Sequence, residues 1–504
     1  MVVDFVILVT AGKAPQQAMS DETELKLDVS QEGLAALGSV GLLGACTGDT
    51  NLRATYFDTP DMDLWRNGMS LRIRNDGKKS LQTVKQPAIA GGGIAQRREW
   101  ETPVKARNPP VPEIQSPVAE LLEKHGGPLK PVFDIAVHRR TWHLTSVGAQ
   151  MEVAADDAEA ITTERRHAFR EIEIELISGD PAAIFALARR IDAVVPVRLG
   201  VLAKAERGFR LLAPERSAEK AEHVALPPNI STVEAFAAIA ESCLRQYRLN
   251  ESIILTGATR ESVHQARVAL RRLRSAMVLF RQILPGEDVQ RMAERVRTLA
   301  HALADVRDLD VLVARAKPGI VHDTIEQARL NAHTGLQQAL AEDEARQLMI
   351  DLAEWLALGA WRTDPDTGAA REAPLREFSV EALDRLRRKV RRHGRHLTEL
   401  DEESRHQLRK DVKKLRYGIE FLGQLFDDPK QQRQQKKFLR SLKKLLERLG
   451  ALNDLATAEI RLSALDLMGT PEADQFLGGW NKSKLLRRAA DFRHNLLDEQ
   501  PFWR

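Results

Sequence analysis

Two cysteines in 504 residues, Cys46 and Cys243, exclude a disulfide framework and leave no cysteine cluster at zinc-ligand spacing. A reducing compartment follows. Aromatic residues make up only 5% of the chain and are not interleaved with its basic stripes, so the stacking platforms of single-strand nucleic-acid binders are lacking. No specific nucleic-acid partner is expected. The G-x-x-x-x-G-K-[ST] pattern is missing, which excludes a P-loop, and Gly91-Gly92-Gly93 has no helix pattern after it and reads as a loop. Val2 to Ala11 is apolar but carries Asp4, has no basic flank and is too short to span a bilayer. Residues 1–18 read as an unstructured extension, with Met19 as an alternative translation start. No other run is long enough to cross a membrane.

A strong charge imbalance is also missing, because Lys+Arg 75 against Asp+Glu 71 leaves a net charge of only +4. The distribution says more than the sum. Residues 1–220 hold 28 basic and 30 acidic side chains, whereas residues 221–504 hold 47 and 41, so the second half is the basic one. The length calls for two domains, or at most three.

From Glu22 the pattern alternates with a period of two, placing Glu22, Glu24 and Lys26 on one face of a strand. The alternation returns in Leu71-Arg72-Ile73-Arg74, Thr83-Val84-Lys85 and Glu171-Ile172-Glu173-Ile174-Glu175-Leu176. A charged face turned to water would explain any one of these strands. Three carboxylates spaced two apart are harder to explain, because Glu171, Glu173 and Glu175 would stand roughly 6–7 Å from neighbour to neighbour. Cations must lie among them. A divalent metal, with Arg and Lys on other strands, would make a closed sheet able to hold a metal-bridged polyanion.

These residues identify a resemblance. Glu22-Thr23-Glu24-Leu25-Lys26 resembles the E-x-E-x-K signature of the CYTH family, the triphosphate tunnel metalloenzymes. The series continues in order through Tyr56-Phe57-Asp58-Thr59-Pro60, Arg72 and Arg74, Lys85, Arg98-Glu99, Arg139, Asp156, the Glu171 strand and Lys204-Ala205-Glu206-Arg207-Gly208. The resemblance implies an eight-stranded antiparallel tunnel over residues 19–215, acting on triphosphates with Mg²⁺ or Mn²⁺. Carried over by position, Glu22, Glu24, Glu173 and Glu175 would bind metal, and Glu22, Glu24 and Lys26 would serve catalysis. Arg72, Arg74, Lys85, Arg139, Asp156 and Lys204 would surround the substrate. One departure is Asp156-Asp157-Ala158, where the family carries a glycine, which puts a local turn in question.

After a linker at residues 216–230 the period becomes helical. Val263, Leu270, Leu273, Met277 and Phe280 form one stripe, beside a basic one of His264, Arg267, Arg271 and Arg274. His406, Arg409, Lys413 and Arg416 repeat those four positions at a constant offset, and Asp308 and Asp454 recur at nearly the same one. This half is an internal duplication. Its two segments, V-H-x-x-R-V-x-x-R-R-L-R and H-x-x-R-K-x-x-K-K-L-R-Y, resemble the CHAD family of helical domains, over residues 231–504. That resemblance implies polyphosphate binding by His264, Arg267, Arg271, Arg274, His406, Arg409, Lys413 and Arg416. Arg433, Lys436, Lys437, Arg440, Lys443 and Lys444 would extend the track or form a solvated surface.

The expected architecture is therefore α+β and multidomain, a β tunnel barrel followed by an all-α bundle with a two-fold repeat. The expected activity is hydrolysis of inorganic triphosphate, with longer phosphate chains retained by the helical half. Thiamine triphosphate hydrolysis, adenylate cyclisation of class IV and non-catalytic polyphosphate targeting are the alternatives. The expected location is the cytoplasm, in association with polyphosphate granules, and an oligomer is compatible with the sequence.

Overall fold

The computed structural model describes residues 18–39, 41–86, 95–105, 117–125, 127–146, 148–227, 229–257 and 259–504. The apolar Val2–Ala11 stretch and the triple glycine lie outside them. The chain divides into two compact units, with the break after Glu215.

The first unit contains β1 (Ala18–Val29), α1 (Gln31–Leu37), β2 (Gly48–Asp58), α2 (Asp63–Arg66), β3 (Ser70–Asn75), β4 (Ser80–Lys85) and β5 (Ala95–Val104). It continues with α3 (Pro117–His125), β6 (Lys130–Ser146), β7 (Ala149–Ile161), β8 (Arg166–Ser178), α4 (Ala182–Asp192), β9 (Val197–Leu199) and α5 (Lys204–Leu211). Strand order is β5-β4-β3-β2-β6-β7-β8-β1-β9, and an additional β5–β1 pairing closes the circuit. All pairings are antiparallel. The closed circuit has the eight strands the sequence implied. The three-residue β9 is a ninth, added on β1.

Alternation explains why the sheet curls with its ions inside. Leu25, Leu27, Ile172 and Ile174 are fully buried on the outer face, where α4 packs on β1 and β8. A second outer layer forms where Leu64 and Val118 meet Phe57, Leu71 and Val84. With both layers outside, the opposite faces of the same strands line the interior. Asp156-Asp157-Ala158 forms no turn. It lies within the continuous strand β7, and Ala158 packs into an apolar cluster with Phe133 and Phe209.

The second unit contains α6 (Thr232–Gly257), α7 (Arg260–Leu279), α8 (Glu287–Val313), α9 (Ile320–Ala341), α10 (Asp343–Leu358) and α11 (Gly368–Glu372). Then follow α12 (Leu375–His393), α13 (Glu402–Leu422), α14 (Pro429–Ala464), α15 (Pro471–Gly478) and α16 (Lys482–Asp498). The repeat is visible in the packing, since α6, α7 and α8 contact one another in succession as α12, α13 and α14 do. The repeats meet through α7 with α13 and α8 with α14. Both basic helices have built N-termini: Thr259 and Ser262 form a capping box on α7, and Asp401 accepts from Ser404 N on α13. Aromatic side chains are committed to the core, Phe236 with Phe280, Trp355 and Trp361, and Phe438 with Phe502 and Trp503. The segment ahead of α6 is tied to this unit, with Glu219 N donating to Asn250 Oδ1 at 2.9 Å and Gln424 Nε2 to Val224 O at 2.8 Å.

Candidate functional site

Strand register sorts the interior charges of the barrel into rows. β1 and β8 set Glu24 opposite Glu175, Lys26 opposite Glu173 and Asp28 opposite Glu171. β7 extends two of these rows, with Glu152 beside Glu175 and Asp156 beside Glu171, and Arg139 on β6 faces Asp156. Lys204 arrives differently, on α5, which packs on β6 and β7. Gly208 permits this approach. A Cβ there would come within 2.5 Å of three ring carbons of Phe133.

The cavity measures about 300 Å³. Glu24, Lys26, Arg139, Glu173, Glu175 and Lys204 line it, with Arg72, Arg74 and Lys85 from β3 and β4 and Glu99 and Glu101 from β5. Glu22 occupies the expected backbone position in β1, but its side chain lies outside the described residues. Glu173 is the hub. Its carboxylate accepts from Arg139 Nη2 at 2.6 Å and from Lys26 Nζ, and Lys204 Nζ lies 2.9 Å away. Lys204 also pairs with Asp156 at 2.8 Å and Glu171 at 2.5 Å, while Arg139 binds Asp156 through two bonds of 2.7 Å.

Burial opposes ionisation of Glu173, yet Lys204, Lys26 and Arg139 outweigh it and hold the carboxyl well below its usual range. The same contest lowers Asp156 and Glu24 and raises Lys204 and Lys26. Glu24, Asp156 and Glu173 are thus held as carboxylates against Lys26 and Lys204 at neutral pH. On β3 the balance differs, because burial and then Arg72 lower the Arg74 guanidinium. Lys85 pairs with the buried Glu99.

Carboxylate oxygens of Asp156, Glu171 and Glu173 lie within 4.8 Å of one another. Glu171 Oε2 is buried without a hydrogen-bond partner, its ion pair being with Arg207 Nη2 at 3.3 Å. Hard oxygen donors of this kind fit Mg²⁺ or Mn²⁺. The structure therefore groups Glu173 with Asp156 and Glu171, while Glu24 and Glu175 form the neighbouring row. The sequence placed Glu171 beside Glu173 and Glu175 on one face and Asp156 among the substrate contacts, without bringing Asp156 and Glu171 together. Their pairing across β7 and β8 was the missing signal.

In the helical unit, Arg267, Arg271 and Arg274 of α7 and His406, Arg409 and Lys413 of α13 line one cavity of about 680 Å³. His264 and Arg416 lie outside that lining, Arg416 Nε donating to Glu420 at 2.7 Å. Arg297, His301, Lys410 and Lys414 line it without being marked by the repeat. Asp308 sits inside α8 rather than at a cap and accepts from Arg267 Nη1 at 3.3 Å, so it orients an arginine. Asp454 lies inside α14, where burial raises its pKa. Arg433, Lys436, Lys437, Arg440, Lys443 and Lys444 are all exposed on α14.

Crowded like charges mark this groove. Burial and then Arg271, Arg409 and Arg267 push the Lys413 ammonium down to about 5. Burial lowers Arg409 to about 10, and burial followed by Arg307 lowers His264 to about 4. Arg409 Nε is buried with no hydrogen-bond partner.

Comparison with known proteins agrees with both halves. A CYTH domain model matches residues 20–209 and a CHAD domain model residues 238–463. An uncharacterised protein of Mycobacterium tuberculosis strain H37Rv is 27% identical over 457 residues, 82% of this chain and 84% of its own length. An inorganic triphosphatase of Haemophilus influenzae is 27% identical over 157 residues, 31% of this chain and 45% of the relative. Among solved structures, the CHAD domain of the plant Ricinus communis is 25% identical with a TM-score of 0.46, covering 55% of this chain and 96% of that one. A Pyrococcus horikoshii protein is 19% identical with a TM-score of 0.27, covering 38% and 99%. No helix among the described residues is long and apolar enough to cross a membrane. The β tunnel fits the activity of the triphosphate tunnel metalloenzymes, and the chain joins a CYTH domain at residues 20–209 to a CHAD domain at residues 238–463.

Proposed function

We propose that the tunnel hydrolyses inorganic triphosphate with Mg²⁺ or Mn²⁺ and that the helical groove binds polyphosphate, at polyphosphate granules in the cytoplasm. The observation that carries the first part is the single cavity in which Glu24, Glu173 and Glu175 share an interior with Lys26, Arg72, Arg74, Lys85, Arg139 and Lys204. Such opposed charges suit a metal-bridged polyanion and little else.

Asp156, Glu171 and Glu173, with Glu24 and Glu175 in the next row, would hold the cation. When bound, it supplies neutralisation of phosphate charge and a lowered pKa for water. The side chains do the positioning. Arg72, Arg74 and Lys85 hold phosphate oxygens from β3 and β4, and Lys26, Arg139 and Lys204 do so from the wall of Glu173. Binding exchanges their present carboxylate partners for phosphate. Glu24 orients the attacking water and accepts its proton as oxygen bonds to the terminal phosphorus. The bridging P–O bond breaks, giving orthophosphate and pyrophosphate.

Tyr56 is the aromatic side chain among the lining residues, and its ring stacks on Phe133 with centroids 4.7 Å apart, which argues for an inorganic substrate. Leu52, Ala54, Ile135 and Val137 in the same lining favour a second reading, an organic triphosphate. Phosphate release from triphosphate, ATP and thiamine triphosphate, each with Mg²⁺ and Mn²⁺, separates the two. Highest kcat/KM on the inorganic chain is expected. Turnover of an organic substrate at a higher kcat/KM would overturn the assignment, and no turnover of any would leave the tunnel non-catalytic.

A further inference from the structure

The duplication in the helical unit is inexact at one pair of positions. Arg271 on α7 and Lys413 on α13 are equivalent in the repeat and line the same groove. Arg271 is anchored, its Nε donating to Tyr417 Oη at 2.9 Å and its guanidinium lying 5.9 Å from that ring centroid. Ser275 takes the place equivalent to Tyr417 in the first repeat, and its hydroxyl donates to the Arg271 carbonyl at 2.8 Å. Among the described residues, no side chain anchors Lys413 in a comparable way.

The groups around Lys413 are mostly of its own sign. α7 presents Arg267 and Arg271, α13 itself presents Arg409, and α14 presents Asp454. Across the cavity α8 contributes Arg297, His301, Asp305 and Asp308. Asp308 is engaged by Arg267, while both Asp305 and Asp308 pair with Arg461. On its other side α13 packs on α12, where His393 bonds Asp411 and Lys389 lies near Lys414. A guanidinium cannot shed its proton to relieve such crowding, whereas an ammonium can.

Resting on the polyphosphate reading of this groove, we propose that Lys413 takes up a proton from solvent when polyphosphate binds, so that polyanion and proton enter together. Without ligand, the half-buried amine lines the cavity with three guanidinium groups, and burial and then their charge push its pKa down to about 5. Bound phosphate oxygens reverse the local potential, and the amine lone pair then accepts a proton to form an ammonium that hydrogen-bonds phosphate. The two repeats thereby differ in role: Arg271 holds a fixed charge and Lys413 a conditional one. By linkage, each proton taken up weakens binding by up to about tenfold per unit rise in pH.

The test is titration calorimetry of the full chain with sodium polyphosphate of defined length, in two buffers of different ionisation enthalpy at matched ionic strength, at about pH 7 and about pH 8. Wild type is expected to take up about one proton more than Lys413→Arg and to lose affinity over that interval more steeply, up to about tenfold against a shallower loss in the variant. Equal uptake and equal pH slopes in the two proteins would overturn proton coupling while leaving polyphosphate binding intact. Failure of wild type to bind at any pH would remove the binding reading and this inference with it. Side-chain NMR of lysines in the unligated wild type needs no variant. A lysine titrating near 5 that moves to the ordinary range on adding polyphosphate is expected, and ordinary titration of every lysine before ligand is added would refute the proposal.

Discussion

Gly208→Ala perturbs the tunnel without altering any charged group. The added methyl would lie within 2.5 Å of three Phe133 ring carbons, so α5 must retreat by about 1 Å or more to reach ordinary carbon contact at ~3.5 Å. Phe133 cannot give way, being 4% exposed and stacked on Tyr56 of β2 at 4.7 Å between centroids. Overpacking of this kind costs about 1–3 kcal/mol. For a unit of this size that lowers Tm by roughly 2–12 °C. Lys204 lies one turn before Gly208, so the same shift stretches its 2.8 Å pair with Asp156 and its 2.9 Å pair with Glu173. A misplacement of about 1 Å can reduce turnover roughly 100-fold. Calorimetry of the full chain gives the first quantity, and phosphate release from inorganic triphosphate with Mg²⁺ gives kcat/KM. Gly208→Ala combined with Phe133→Leu should recover part of both losses. Wild-type melting and wild-type kcat/KM in the single variant would show that the close approach of α5 neither stabilises the tunnel nor places Lys204.

Glu173→Gln should reduce hydrolysis at least about 100-fold, since it removes the carboxylate shared by Lys26, Arg139 and Lys204; undiminished turnover would reject the site. Glu24, Asp156 and Glu173 are all held below their usual range, so their stabilisation is complete above the ordinary carboxylate values of ~4 and is lost as pH falls through the lowered ones. Tunnel melting should therefore hold steady from about pH 7 to about pH 5 and then decline, and Lys204→Met should begin its decline at higher pH. Arg409→Met should raise the melting temperature of the unligated helical unit, because a buried guanidinium with an unpartnered Nε is removed, while polyphosphate affinity falls at least about tenfold. A fall in both quantities would mean that Arg409 is structural. Trp503→Ala should cost about 3–5 kcal/mol in the helical unit, because the ring packs on Phe438 and its Nε1 donates to Asp384 at 3.0 Å; an unshifted thermal transition would contradict this.

The strands were legible because alternation is a local property: Glu24-Leu25-Lys26 already states which side chain turns inward. Cross-strand company was not legible. Asp156 looked like a substrate contact near a turn, whereas pairing of Asp156 with Glu171 makes both part of a carboxylate cluster. Register depends on where strands separated by loops come to rest, and no short stretch records it. Lys204 was identified by position in a motif, but its delivery by a helix packed on Phe133 is a tertiary fact. The shared groove was legible for a different reason. Duplication places the same face twice, and α7 meeting α13 unites Arg267 and Arg271 with Arg409 and Lys413. Helical phase alone did not separate those residues from Arg416, which pairs along its own helix with Glu420.

The closure of the barrel also bears on how it is made. β1 is synthesised first, yet it pairs with β5, β8 and β9, all of which emerge later. At the usual ~5–20 residues per second, roughly 10–30 s separate β1 from β9. Until β5 and then β8 and β9 emerge, the strand carries open backbone donors and acceptors, the kind of edge on which chains aggregate. Glu24 and Lys26 would discourage wrong pairings during the wait, as charges on exposed edges do. The nascent chain thus draws protection from residues whose later task lies inside the tunnel, and variants that neutralise them are expected to express with more aggregate as well as less activity.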